Sequence, residues 1–311
     1  ARLADGPVIA WLDLASLPHR ALPAADAGSG YHVAVVQGHA PSIAAPGARA
    51  YVVSDAGDGP LVVGADDLAR ARGRIAKQRH RLLALGAATA SGIATADGLA
   101  AAVRAGIAAG ADGLVTSPRP GYAKNFTLDG LALWADRLRG GGGKDAWAQV
   151  FPPGPRLWDA CLGVHDWIEG YGTVGGLGRP LFAAFLTEAA DVLADPSLRH
   201  TAAHYAALGA DWTALAEAAM PAGVPLFDAA RAWFDARAAC QTAAGAGEAV
   251  VQAAVAEAKA AWAALEAARA DAAAAPPLAA ADGQALCVAL AERVAALHAA
   301  EQAGQAMLAR A

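Results

Sequence analysis

Two hydrophobic periods divide the chain. Up to about residue 90 the apolar positions come in short runs of strand length, and beyond Thr95 they recur every three or four residues. Residues 7–13 (PVIAWLD) form an unbroken apolar run, as expected for a strand covered on both faces. Residues 31–38 (YHVAVVQG) and 50–54 (AYVVS) are two further β-branched runs. Residues 60–63 (PLVV) make a fourth, set off by a turn at 55–59 (DAGDG). A short helix is predicted from Asp66 to Arg72. In the helical part, Leu99, Val103 and Ile107 share one face, as do Leu128, Leu131, Trp134 and Leu138. Asp195-Pro196 predicts a helix start, with the aspartate as cap and the proline where its missing N–H costs nothing.

Beyond Gly245 alanine dominates. Val251, Val255, Ala258, Trp262 and Leu265 keep a four-three-four-three spacing, and Cys287, Leu290, Val294 and Leu297 keep a three-four-three spacing after Ala275-Pro276-Pro277. Two antiparallel helices, packed on each other or on the body, satisfy this pattern. Stripes with such small side chains predict docking rather than a free coiled coil, with Trp262 a packing anchor and Cys287 a small core hydrophobe. The fold class read from these patterns is α+β. Residues 1–90 carry the sheet, 91–240 an α-helical domain and 241–311 an alanine-rich helical hairpin tail.

Composition narrows the function classes. An apolar fraction of 56% against 17% charged residues excludes a disordered chain. No run of 18 uncharged apolar residues is present to span a membrane. A net charge of -5 argues against nucleic acid as a partner, because phosphate neutralisation needs clustered Lys and Arg. The basic residues between Arg70 and Arg81 carry no interleaved aromatics and read as a solvated face. The three cysteines, Cys161, Cys240 and Cys287, have no CxxC spacing, which predicts neither a disulfide framework nor a zinc site. A reducing, cytoplasmic compartment follows, with no metal or cofactor expected. Gly140 to Gly143 lack the Lys-Ser or Lys-Thr of a phosphate loop and are assigned no ligand. The opening Ala1-Arg2-Leu3-Ala4-Asp5-Gly6 has no initiator methionine or signal-peptide pattern, and reads as a chain entered in mid-domain.

The most informative polar pair is His32, at the mouth of one predicted strand, and Asp55, at the exit of the next. Antiparallel neighbours would bring the two together as the imidazole–carboxylate half of a catalytic triad. The competing reading is a core histidine beside a turn-capping aspartate, and spacing alone leaves both open. His39, one residue past the strand, is expected in a loop. Cys161 and His165 share a helix face at spacing four and read as packing.

Several blocks carry a family resemblance. Gly6 to Leu14, Leu17-Pro18-His19, Tyr31 to Gly38 and Tyr51 to Asp55 resemble the second half of the N-terminal domain of the butirosin-biosynthesis acyltransferase family, which is similar to papain-like cysteine peptidases. Lys124 to Leu131 with Trp134, and Gly172 to Arg179 with Phe182, Phe185, Leu186 and Glu188, resemble the helical domain that follows it. These blocks run in family order between about residues 6 and 235.

The resemblance implies a partial papain-like antiparallel sheet domain followed by a larger all-α domain. It also implies an activity. A cysteine thiolate takes an acyl group from a carrier-protein thioester, and an amine-bearing small molecule accepts it. His32 would be the general base and Asp55 its orienting partner. In the family the nucleophile lies on a helix ahead of anything matching Gly6, and none of the three cysteines occupies that place. The chain therefore reads as lacking its nucleophile. Asn125, Gly175, Gly176 and Arg179 would line the substrate site, with Asp166, Glu169 and Glu188 placed to attract a cationic acceptor. The alternatives are a non-catalytic binding or scaffold protein and a cysteine peptidase of the same fold. The alanine tail offers a surface for a homo-oligomer.

Overall fold

The computed structural model describes residues 3, 6–41, 47–55, 59–84, 95–117, 119, 121, 123–170 and 175–310. Residues 56–58 of the predicted turn and 172–174 of the glycine-rich stretch lie outside them. The protein is α+β. Its strands are β1 (Val8–Asp13), β2 (Tyr31–Pro41), β3 (Arg49–Ser54), β4 (Leu61–Gly64) and β5 (Leu82–Ala84). They form one antiparallel sheet in the order β4-β3-β2-β1-β5. Helix α1 (Ala65–Arg74) follows β4.

By contact the chain divides into two units. One comprises Ala1–Ala88 with Ala229–Ala268, the other Thr89–Asp228 with Arg269–Ala311. In the first unit, side chains alternate across the sheet as the two-residue period demands. Ala10 and Leu12 of β1, Ala34 and Val36 of β2, and Val53 of β3 pack with Leu68 and Ala71 of α1. A second cluster joins Ala236 and Cys240 of α9 (Pro225–Thr242) to Val255 and Ala258 of α10 (Glu248–Ala274).

Two strand expectations are corrected. The run at 7–13 is not covered on both faces, because Ile9 and Trp11 stay only half-buried while Val8, Ala10 and Leu12 are sealed. The other face of the sheet leaves Val33 44%, Val62 37% and Leu83 48% exposed, and the Arg81 guanidinium lies 4.2 Å over the Trp11 ring. The run is continuous because both faces carry apolar side chains. His39 is in no loop: β2 continues to Pro41, and His39 pairs with Tyr51 past an irregularity between Val36 and Gly38. One extra residue there lets the ladder resume beyond the predicted strand end.

The second unit is helical. Its elements are α2 (Ala96–Gly113), α3 (Ala123–Phe126), α4 (Leu128–Leu138), α5 (Trp147–Val150), α6 (Pro155–His165), a π-helical turn (Asp166–Gly170), a 3₁₀ turn (Gly176–Gly178), α7 (Arg179–Val192), α8 (Ser197–Ala219) and α11 (Ala280–Leu308). The predicted stripe of α2 is mostly unburied, with Leu99 41% exposed and only Ile107 of its three residues in the core. Helix α8 begins as expected, its Ser197 N–H donating to Asp195 Oδ1 at 2.9 Å. Gly209 lets α7 approach α8, since a Cβ there would stand 2.9 Å from the Pro180 ring. Helix α11 packs on α4 and α8, burying Cys287, Leu290, Val294 and Leu297 as the spacing predicts. No helix among the described residues is long and apolar enough to cross a membrane.

Candidate functional site

Sheet register brings His32 and Asp55 together. Leu12 pairs with His32 and Val35 with Ser54. Continuing the second register by one residue sets Asp55 opposite Ala34, one same-face step from His32. Both side chains belong to the face that carries Ala34, Val36 and Val53. His32 Nε2 lies 2.5 Å from Asp55 Oδ1. The carboxylate is almost fully buried, while the His32 side chain keeps 28% of its surface exposed.

Two further residues complete the centre, and the polar pattern does not single them out. The 3₁₀ turn Pro18–Arg20 delivers His19, whose Nε2 is 2.8 Å from Asp55 Oδ2. It also delivers Arg20, which donates from Nε to Oδ2 at 3.0 Å and from Nη2 to Oδ1 at 2.6 Å. This is the two-pronged grip that a planar guanidinium makes on a carboxylate. Arg20 Nη2 also comes within 2.8 Å of His32 Nε2. One ring nitrogen cannot donate to Asp55 and accept from Arg20 at once. The 2.5 Å approach to an ionised oxygen requires the proton to lie between nitrogen and carboxylate, so Nε2 is the donor and Arg20 is a close cationic neighbour. That leaves Nδ1 as the ring nitrogen turned away from Asp55, with no hydrogen bond among the described residues.

The turn is anchored from behind. Asp13, at the end of β1 and fully buried, accepts from the Ser16 hydroxyl and from Gly28 N–H at 2.9 Å. Leu17, also buried, plugs the same segment into the core. Burial raises the Asp55 pKa, but the His19, His32 and Arg20 hydrogen bonds and the Arg20 charge outweigh it and hold the carboxyl far below the usual carboxylate range. His19 further borders a cavity of about 710 Å³, together with Arg49, Asp66, Asp67, Glu248 and Lys259.

The three cysteines are buried and free. Burial, with the neighbouring Cys287 thiol, pushes the Cys161 pKa up to about 12. Burial also raises Cys240 and Cys287. None is a thiolate near neutral pH.

The remaining predicted residues fall in the helical unit. Asn125 borders a cavity of about 430 Å³ with Lys124, Trp134, Arg137 and Trp147. Gly175, Gly176 and Arg179 do not border it. Gly175 and Gly176 belong to a tight left-handed turn, φ 84° and 52°, and the Gly176 N–H donates to Glu169 Oε1 at 3.2 Å. Thr213 Oγ1 donates to the same oxygen at 2.7 Å, so Glu169 is held within the fold. Arg179 turns inward, its Nε 2.7 Å from Glu301 Oε1, where Trp212 Nε1 donates at 2.8 Å. Glu301 is completely buried, and Arg179 supplies its counter-charge. Burial, then the Glu301 charge, pushes the Tyr205 hydroxyl up to about 12. Among the described residues no group of three or more His, Cys, Asp or Glu side chains is arranged to hold a metal ion.

Comparison with protein families matches residues 66–226 to a domain described as a domain of unknown function, DUF4872. The chain belongs to this family. The DUF4872 segment begins in α1 and ends at the start of α9. It contains Asn125, Gly175, Gly176 and Arg179, whereas His19, Arg20, His32 and Asp55 precede it. No curated protein matches the chain.

Proposed function

We propose that this DUF4872 chain belongs to a cysteine-dependent acyltransferase that moves an acyl group from a carrier-protein thioester to an amine. The contact between His32 Nε2 and Asp55 Oδ1 at 2.5 Å, with the other ring nitrogen uncommitted, carries this reading. It is the arrangement a general base needs: a carboxylate fixes the tautomer and supports the imidazolium, while Nδ1 is left to exchange a proton with a nucleophile. Cys161, Cys240 and Cys287, buried and with raised pKa values, are unsuited to the thiolate step, so the proposed nucleophile is another cysteine, as the family resemblance implies.

The proposed cycle has two acyl transfers. His32 Nδ1 takes the thiol proton, the thiolate adds to the thioester carbonyl, and collapse breaks the carbonyl–sulfur bond to the carrier. The carrier thiolate leaves with the proton from Nδ1, and the acyl group stays on the cysteine. The amine then attacks that acyl carbon and gives its proton to Nδ1. Amide and free thiol result once the enzyme sulfur is reprotonated. Around the His19 cavity the carboxylates of Asp66, Asp67 and Glu248 share the wall with the cations Arg49 and Lys259, and the proposed amine acceptor would enter on the side of Asp66 and Glu248.

The decisive experiment incubates the full-length native protein with carrier protein bearing an acyl thioester, and reads intact mass and peptide maps. One acyl adduct on a cysteine other than 161, 240 and 287 is expected, discharged by an added amine and lost in His32→Ala. An adduct unaffected by His32→Ala, or none with any of a panel of acyl carriers, overturns the reading. Cleavage of peptides without acyl transfer would replace it with the peptidase alternative.

The scaffold reading is favoured by one observation. Arg20 binds both oxygens of Asp55 and lies 2.8 Å from His32 Nε2, so the carboxylate is gripped from several sides as in a purely structural network. Circular dichroism and acyl-transfer assays of Arg20→Gln separate the two. A folded Arg20→Gln variant with unchanged or faster acyl transfer supports catalysis; loss of the folded centre with no activity in either form supports a structural network.

A further inference from the structure

Four irregularities of the helical unit converge on one cavity of about 460 Å³. The first is its wall, which includes Trp134, Trp147, Phe151, Trp167 and Trp212 and contains no charged side chain. The rings lie close, with centroids 6.1 Å apart for Trp134 and Trp147 and 4.6 Å for Trp147 and Phe151. The second is the π-helical turn Asp166–Gly170, which supplies Trp167 and Ile168. Such turns interrupt regular helices and concentrate at functional sites.

The third is Leu177, which enters the wall from a backbone of φ 50° and ψ 35°. A left-handed leucine is strained and persists only where its surroundings enforce it. It sits among Gly175, Gly176 and Gly178, all at positive φ, so four successive left-handed residues serve to place one apolar side chain. The fourth is a pair of orphaned donors. The indole nitrogens of Trp134 and Trp147 are buried with no hydrogen-bond partner. Trp212 is different, since its N–H is spent on Glu301. Buried donors are costly when unsatisfied, and an acceptor brought by a ligand repays that cost.

We infer that this cavity binds an uncharged acyl or aryl group carrying a carbonyl oxygen, with the apolar body against the rings and the oxygen taken by the Trp134 or Trp147 N–H. That N–H is closed off in the free protein and is uncovered by a shift of its ring as the group enters. A carboxylate would be stripped of water with no cation in the wall to meet it. Lys124 and Arg137 stand instead in the 430 Å³ cavity, which shares the Trp134, Trp147 and Phe151 rings. The inference holds independently of the acyl-transfer proposal and touches none of the residues assigned to it.

Gly163 provides the test. It borders the cavity from α6, and a Cβ built on it meets nothing within 4 Å. Gly163→Leu therefore fills the space without displacing backbone. Full-length protein is titrated with octanamide and with benzamide, followed by tryptophan emission and by calorimetry. Saturable binding of either amide is expected, and which one binds distinguishes a chain from a ring. Gly163→Leu should weaken it at least about tenfold with circular dichroism preserved. Should that variant fail to fold, Ala160→Leu fills the same cavity. Trp147→Phe and Trp134→Phe keep a ring and remove one N–H, and one of them should weaken octanamide binding several-fold. No saturable binding of either amide up to its solubility, equal affinity in the filled variant, or tighter binding of octanoate than of octanamide overturns the inference.

Discussion

Asp55 couples the chemistry of the candidate site to its stability. Its carboxyl titrates far lower in the folded protein than in the unfolded chain, so the unfolded state binds its proton first as pH falls. The stabilisation it contributes is complete above the unfolded value, about pH 4, and drains away as pH drops toward the folded one. Thermal midpoints measured from pH 6 to pH 2 should fall more steeply for the wild type than for Asp55→Asn, whose carboxamide cannot titrate. Parallel curves would mean that the network is not formed in solution. The same scale governs the thiols. Cys161, Cys240 and Cys287 are buried with raised pKa values, so brief iodoacetamide treatment at neutral pH should leave all three unmodified. Peptide mapping should find them alkylated only after denaturation.

At the scale of elements, the reach of sequence reading depended on how local each signal was. The strand runs at 31–38, 50–54 and 60–63 were legible because alternation and β-branching are local, and so were the stripes of α4, α10 and α11. The α2 stripe was legible as a helix but misleading about burial, because the period says which residues share a face and not what covers it. The glycines at 175–178 were legible only as a glycine-rich stretch. Their service to the α7–α8 packing was not, since it depends on the Gly209 backbone across the turn. A Cβ on Gly176 would stand 2.8 Å from the Gly209 carbonyl oxygen, at a φ of 52° that side chains resist. Gly176→Ala is expected to cost roughly 1–3 kcal/mol in chemical denaturation. Gly163→Ala, in open space within α6, should instead stabilise by about 0.5–1 kcal/mol.

For the whole molecule, charge and topology make separate statements. A net charge of -5, with the basic residues between Arg70 and Arg81 forming a solvated face, predicts no shift of duplex DNA or single-stranded RNA in gel electrophoresis at physiological salt. A salt-dependent shift would reassign the basic stretch between Arg70 and Arg81 from solvated face to binding surface. Topology divides the chain in a way that composition does not show. Residues 229–268 belong with the sheet and 269–311 with the helical unit, although the alanine-rich sequence runs through both without a break. Small, similar side chains mark a helix face without naming its partner, because a stripe of alanine fits many surfaces nearly equally well.

The sequence by itself determined the α+β class, most of the strand and helix runs and the core position of Cys287, and it set His32 and Asp55 one antiparallel step apart while leaving their role open. Each follows from a period or register that acts over a few residues or one antiparallel step. Only the tertiary structure decided that His19 and Arg20 join the same carboxylate from 36 and 35 positions away. It likewise decided that Arg179 serves Glu301 from 122 positions away, and that five aromatic residues line one cavity while the indole nitrogens of two of them are buried without a partner. Those contacts are made by chain segments whose separation no local pattern encodes, and they form because folding encloses charges and donors that must then find partners where the chain happens to bring them.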